Sequence, residues 1–554
     1  MTPARSDEFR LGAHQVAYER RLAAWDAARF GARLWAGDPT LWVTKPAAEI
    51  SDRLGWLRLP ESMAGRLPGF RSFAEEIQSE GTAHIVLLGM GGSSLTPELF
   101  QKTLGSAPGY PALLVLDSTH PAAVAATEKA IDLSRTIFLV SSKSGSTIEP
   151  LSFFRYFWDK AARAGSDPGR RFVAISDPGS SLQALARERG FRQAFAALPD
   201  VGGRFSALTD FGLVPAALIG ADAGALLAAA GEAAAADGPD IPAAQSPGFR
   251  LGAALGELAL AGIDKLTIRT SPGLRSFPDW LEQLIAESTG KDGKGIVPVA
   301  GEPVSTAAAI APDRAFVFLA LGDEDRHALD DEAAAAERAG RPVIRIELGG
   351  PAALGREIFH WELAVAAASS ALGVHPFNQP DVELAKDLAR KTMAARAEGG
   401  AAEALPGVDA GTDPALGQAV AAWLGGKRER DYVCLQAYLG PGPEIDRGLD
   451  LLRERLLAAA GRPVTLGRGP RFLHSTGQLH KGGPDEALVL QIVDRPVADL
   501  AVPGAGFGFG TLIRAQADGD LQALRQRGRR ALRVDLGGDA AGGLERLAVA
   551  ISRV

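Results

Sequence analysis

Two short loops carry the densest chemistry in the sequence. Gly89-Met90-Gly91-Gly92-Ser93-Ser94 follows an apolar run and precedes a helical stretch, and Ser141-Ser142-Lys143-Ser144-Gly145-Ser146-Thr147 does the same before Ile148-Glu149-Pro150. Glycines let backbone amides approach an anion closely, and a helix start adds unsatisfied N–H groups and a favourable dipole. Five hydroxyls, a lysine and a glycine in the second loop form a donor cluster suited to one phosphate dianion. Taken alone, the first loop has two further readings: a plain strand-to-helix turn, or a dinucleotide fingerprint in which Asp117 stands for the ribose-binding acid. That fingerprint wants glycine where Ser94 stands, and a nicotinamide enzyme has no need of a second nest. The bland alternative for the second loop is a serine-rich capping turn.

Loops of this kind must be held at the ends of parallel strands. Ile85–Gly89, Leu113–Asp117, Thr136–Ser141 and Phe172–Ser176 are nearly continuous apolar runs, as expected of strands buried on both faces, and helical segments alternate with them. The expected fold is α/β. A helical segment over 1–72 wraps a doubly wound domain at 73–214. A second such domain follows at 215–398, with strands Lys265–Thr270, Ala315–Leu321 and Val343–Leu348 and a long helix Leu354–Leu372. A Gly/Ala/Asp/Pro-rich linker at 399–413 leads to an additional C-terminal α/β unit, 414–554.

Composition narrows the class. The 554 residues carry a formal charge of −7, so no basic field advertises nucleic acid or anionic membrane. Cys434 is the single cysteine, which excludes an intramolecular disulfide framework and a cysteine-built zinc site. Met1–Arg10 is polar with no apolar core after it. Leu213–Ala236, the most apolar stretch, carries Asp222 and Glu232 and reads as a buried helix pair rather than a membrane span. A cytoplasmic protein is expected.

Further motifs follow in order: Val201-Gly202-Gly203-Arg204-Phe205-Ser206, Glu287-Ser288-Thr289-Gly290-Lys291, and Phe377-Asn378-Gln379-Pro380 through Lys386. With the two loops, these resemble the signature of the phosphoglucose isomerase family of the sugar isomerase (SIS) domain superfamily. The likeness is nearest to the isomerase half of bacterial transaldolase/phosphoglucose isomerase fusions, although no transaldolase-like segment is present. The resemblance implies two SIS-type domains and interconversion of glucose 6-phosphate and fructose 6-phosphate through a cis-enediolate, with no cofactor and no metal. The alternatives are an isomerase that also accepts mannose 6-phosphate and a non-catalytic SIS-type sugar-phosphate sensor.

Roles carried over by resemblance make Glu287 the base and Arg204 the stabiliser of enediolate charge. Lys386 handles the ring and hydroxyl oxygens. Gly91, Gly92, Ser93, Ser142, Lys143, Ser144, Thr147 and Gly203 surround the phosphate end, and Gln379 binds sugar. Gln283 stands four residues before Glu287 on one helix face, where it can reach sugar hydroxyls. The family's ring-opening histidine normally follows the catalytic glutamate closely, but Glu302–Asp313 contains none. Instead, Ser475-Thr476-Gly477-Gln478-Leu479-His480 echoes the missing segment from the C-terminal unit, which makes His480 the expected ring opener and His474 its rival, with His375 a further candidate. In such enzymes this histidine commonly comes from the other subunit, so the resemblance also implies a homodimer.

Overall fold

The computed structural model describes residues 6–44, 47–165, 167–304, 311–322, 324–397, 405, 407–411 and 414–554, so most of the linker expected at 399–413 lies outside the described residues. Three five-stranded sheets organise the chain. The first comprises His84–Gly89, Ala112–Leu116, Thr136–Ser141, Phe172–Ser176 and Gln193–Ala196, all parallel, in spatial order 2-1-3-4-5. The second sheet sets Lys265–Thr270, Val297–Ala300, Arg314–Leu321 and Val343–Leu348 in order 2-1-3-4. The third repeats that order with Tyr432–Tyr438, Val464–Arg468, Ala487–Val493 and Arg530–Asp535, and adds Val408–Asp409 at its edge.

In this winding the first and third strands lie side by side while their following helices leave toward opposite faces. A crevice therefore opens beyond their carboxyl ends. In the first sheet Gly89 pairs with Ser141, so the two glycine- and serine-rich loops emerge as neighbours. The second and third units fill the equivalent position from within. Gly273 N–H donates to both Glu324 oxygens at 3.0 and 3.1 Å, and Gly440 N–H donates to Asp494 Oδ2 at 3.4 Å. His120, at the start of a first-unit helix, reaches Asp494 Oδ1 at 3.2 Å.

Four edge strands depart from the sequence expectation: Gln193–Ala196, Val408–Asp409, which forms strand inside the expected linker, and the two that follow. Ser6–Arg10 pairs antiparallel with Val343–Leu348, although Phe9–Arg33 reads as helical throughout. Its charged side chains suit a sheet edge, where they discourage pairing with other chains. Val297–Ala300 pairs only with Lys265–Thr270, and Pro298 inside it is tolerated because an edge strand leaves one side unbonded. The apolar Leu213–Ala236 stretch forms two helices, Asp210–Leu218 and Ala223–Ala236. No helix among the described residues is long and apolar enough to cross a membrane.

The third unit is bolted to the other two. Gln478 Oε1 accepts from Asp381 N–H at 2.9 Å, while its Nε2 donates to Asp381 Oδ2 at 2.7 Å and Gly290 O at 3.0 Å. Arg430 donates to Gly262 O and Asp264 Oδ2, and buried Lys265 pairs with Asp264, Asp313 and Glu486.

One core residue predicts a pH dependence. Glu362, in helix Leu354–Leu372, is fully buried and neither of its oxygens has a hydrogen-bond partner among the described residues. Burial pushes its carboxyl well above the ordinary value of 4.5, so the folded chain keeps it protonated. Above that value the unfolded chain releases its proton and the folded one does not. Stability therefore falls by about 1.4 kcal/mol per pH unit until the buried carboxyl titrates. Glu362→Gln removes this slope: thermal melts should coincide with wild type near pH 4 and lie higher at pH 8.

Candidate functional site

A cleft of about 690 Å³ lies where the three units meet. Gly91, Gly92, Ser93, Ser142, Lys143, Ser144, Thr147, Gly203, Arg204, Gln283, Glu287, Gln379, Lys386 and His474 all border it. The walls pack closely at two glycines. A Cβ on Gly92 would stand 2.0 Å from Gly203 O, and one on Gly91 would meet Gln283 Nε2 at 2.8 Å and His474 O at 2.9 Å.

At one end, Thr147 immediately precedes helix Ile148–Arg163. Ser142 Oγ donates to Thr147 Oγ1 at 3.1 Å and accepts from Gly145 N–H, and Ser144 and Ser146 hydroxyls lie 3.1 Å apart. These hydroxyls satisfy one another weakly and can turn to an anion. Lys143 is already engaged: its Nζ donates to Asp177 Oδ2 at 2.6 Å and faces the carbonyls of Leu198 and Pro199. It pins neighbouring loops while bordering the cleft. The dinucleotide reading finds no acid to use, because Asp117 is held by Ser94 Oγ and by Arg471 at 3.3 Å each.

Opposite stands Glu287, near the end of helix Phe277–Thr289. Its Oε2 accepts from Arg204 Nη1 and Gln283 Nε2, both at 3.3 Å. Burial raises its carboxyl above the ordinary glutamate range, and the charges of Arg204, His474, Lys386 and Lys291 offset only part of that rise. Arg204 is itself buried and nearly saturated. It donates to Ser288 Oγ at 2.9 Å, Gln379 Oε1 at 3.0 Å, Asn378 O at 3.0 Å and Pro376 O. One guanidinium thus ties the glutamate helix to the Phe377–Pro380 loop, which a lysine's point-like charge would not do. Gln283 Oε1 has no partner among the described residues. Lys386, 39% exposed at the rim, pairs with Glu383 at 2.9 Å.

The three histidine candidates separate. His375 Nε2 donates to Ala48 O at 2.9 Å and its Nδ1 accepts from Phe377 N–H, so it props the loop rather than reaching the cleft. His480 does not border the cleft either. It is buried against its own sheet, with Nε2 3.3 Å from Cys434 Sγ and Nδ1 3.3 Å from Gln436 Nε2. Burial, with Lys481 and Arg529 nearby, pushes its imidazole well below the ordinary range and keeps it neutral. His474 does border the cleft, and its Nε2 lies 2.9 Å from Glu149 Oε1. Its backbone oxygen accepts from Gln283 Nε2 at 2.8 Å.

Sequence reasoning missed Glu149, Gln516 and Thr119, which support His474. Glu149 also accepts from Gln516 Nε2 at 2.7 Å, and Gln516 Oε1 accepts from Thr119 Oγ1 at 2.6 Å. Burial alone would raise the Glu149 carboxyl, but His474 holds it below the usual range. Arg53 and Glu49, from the N-terminal segment, also line the rim unannounced. Glu149 at a helix start offered only the signal of an acid favourable to the dipole.

A family model described as phosphoglucose isomerase matches residues 69–296. The glucose-6-phosphate isomerase of Rubrobacter xylanophilus is 31% identical over 394 residues, which are 62% of this chain and 90% of the relative. A probable glucose-6-phosphate isomerase of Haloquadratum walsbyi is 30% identical over 345 residues, 56% of this chain and 79% of that one. Among solved structures, a hypothetical protein from Thermus thermophilus is 27% identical with a TM-score of 0.60, covering 70% of this chain and 100% of its own. The glucose-6-phosphate isomerase of Chlamydia trachomatis, at 19% identity and TM-score 0.56, covers 71% of this chain and 89% of its own and shares the fold.

Proposed function

This chain belongs to the phosphoglucose isomerase family and is an aldose–ketose isomerase, and from that premise we propose how its cleft interconverts glucose 6-phosphate and fructose 6-phosphate. The observation that carries the reading is a buried glutamate, Glu287, flanked by Arg204 and Gln283 and facing an anion nest across one cleft.

The phosphate sits among the hydroxyls of Ser142, Ser144 and Thr147 at the start of helix Ile148–Arg163, with Ser93 and the amides of Gly91 and Gly92 beside it. His474 opens the ring. Glu149 keeps its Nε2 protonated, which leaves Nδ1 to exchange protons with the sugar oxygens. The Glu287 carboxylate then takes the proton from C2 of the open aldose, and the electron pair of that bond forms the C1–C2 double bond as negative charge moves to O1. The hydroxyl proton then passes from O2 to O1, and returning the carbon-bound proton to C1 as the C2 carbonyl forms gives the ketose. Arg204, fixed before substrate arrives, stabilises the enediolate at no cost of reorganisation, and Gln379 and Lys386 hold the remaining hydroxyls. A non-catalytic sensor would have no use for this acid–base set.

The direct test is a coupled assay for glucose 6-phosphate formed from fructose 6-phosphate without added metal or nucleotide. No turnover would sink the reading. Mannose 6-phosphate in the same assay measures epimer preference. For the phosphate nest, Ser142→Ala with Thr147→Ala should raise KM for the phosphorylated sugar far more than for any residual action on free sugar. Each hydroxyl lost from a charged oxygen costs about 1.5–3 kcal/mol. Equal effects on both would make this loop structural only.

A further inference from the structure

We infer that the third unit completes the active site in cis, so that each chain carries a whole catalytic centre and none is shared across a subunit boundary. This deepens the mechanism proposed above and rests on the roles given there to Glu287 and His474.

The geometry is specific. Base, enediolate stabiliser and phosphate nest come from the first two units, and the histidine comes from the short segment Arg471–His474 of the third. A run of hydrogen bonds crosses the boundary between first and third units three times: Thr119 to Gln516, Gln516 back to Glu149, and Glu149 to His474. All four side chains are buried or nearly so, and the Gln516 amide donates on one side and accepts on the other. That arrangement fixes the orientation of Glu149 and, through it, the His474 ring; Gln516 is a positioning residue. A second link runs from Gln283, the neighbour of the base, to the backbone oxygen of His474.

The third unit packs closely against the other two beside the cleft. Any side chain on Gly91 would strike His474, and one on Gly290 would stand 2.6 Å from Leu479 Cα. The Gln478 amide spends both its ends on Asp381 and Gly290, and Lys481 Nζ, which borders the cleft, is held by Asp520 at 2.6 Å. A histidine delivered by a second subunit, as the resemblance implies, would have to displace this packed edge. The match to the Rubrobacter relative takes up 90% of that protein but only 62% of this one, so this chain has length to spare for such a part.

Two experiments decide it. In the first, differently tagged Glu287→Gln and His474→Ala chains are co-expressed in one cell, so that any oligomer forms from both during folding. Sites built in cis stay inactive in every mixture, and wild-type specific activity is unchanged on dilution. Sites shared between two chains would regain about a quarter of wild-type activity, because half the dimers are hybrids with one intact site in two; that result overturns the inference. The second does not depend on catalysis. Glu149→Cys with His474→Cys, joined by a short thiol cross-linker, should give a compact single-chain species on a denaturing gel. A covalent dimer would overturn the inference. If His474→Ala alone keeps full turnover while the cross-link is intrachain, the ring-opening role falls and the cis geometry stands.

Discussion

Glu287→Gln should lower kcat by roughly 10³–10⁴-fold, about 4–5 kcal/mol of barrier, while KM stays within about tenfold. The amide keeps the shape and can still face Arg204 and Gln283, but it cannot carry a proton between C1 and C2. The raised carboxyl also sets a pH signature. Catalysis needs the ionised form, so activity should be lost as pH falls through a value above the ordinary glutamate range, and the acid limb of kcat/KM should sit correspondingly high. Removing Arg204 takes away the nearest charge opposing that rise, so Arg204→Met should move the limb higher still while slowing turnover. Near-normal turnover in Glu287→Gln, or an acid limb at the position of an exposed glutamate, would remove this residue from the mechanism.

His474→Ala should produce a loss that depends on the substrate's form. With ring sugars the variant should fall by about 10²–10⁴-fold, the usual contribution of a positioned acid–base group. A fructose 6-phosphate analogue lacking the 5-hydroxyl cannot close a furanose ring and needs no opening, so the variant should process it at nearly the rate of the unmodified enzyme. His480→Ala is the control. It takes one partner each from Gln436 and Cys434 and should cost about 1–3 kcal/mol of stability with little change in kcat. The reverse pattern, with activity lost at 480 and kept at 474, would return the role to His480.

What the sequence disclosed and what it withheld follow from the range of the interactions. The two loops were legible because their parts are contiguous: an apolar strand, small residues and a helix start within a few positions. The sheets were legible for the same reason, except at four of their edge strands. Ser6–Arg10 is too polar to stand out, and Val297–Ala300 contains a proline that only an edge permits. The motifs around Arg204, Glu287 and Gln379 marked a site, but not that one guanidinium would tie them together. The histidine was not legible. His474 and His480 stand six positions apart, and which of them meets substrate depends on how the third unit docks. The deciding partner of His474, Glu149, is 325 residues away, and Gln516 lies 367 residues beyond that glutamate.

The crevice at the strand ends occurs three times, and in two of the three an acid of the same chain has already taken the seat. Glu324 occupies the amide of Gly273, and Asp494 answers Gly440 and His120. These carboxylates act as tethered competitors that a dissolved anion would have to displace. Of the three crevices among the described residues one is therefore open to solute phosphate, and inorganic phosphate titrated into the protein should saturate at one equivalent per chain. Specificity here begins with self-occupancy: the crevices of the second and third repeats are each filled by one acidic side chain, and the one lined by the two serine-rich loops is left to the substrate's phosphate.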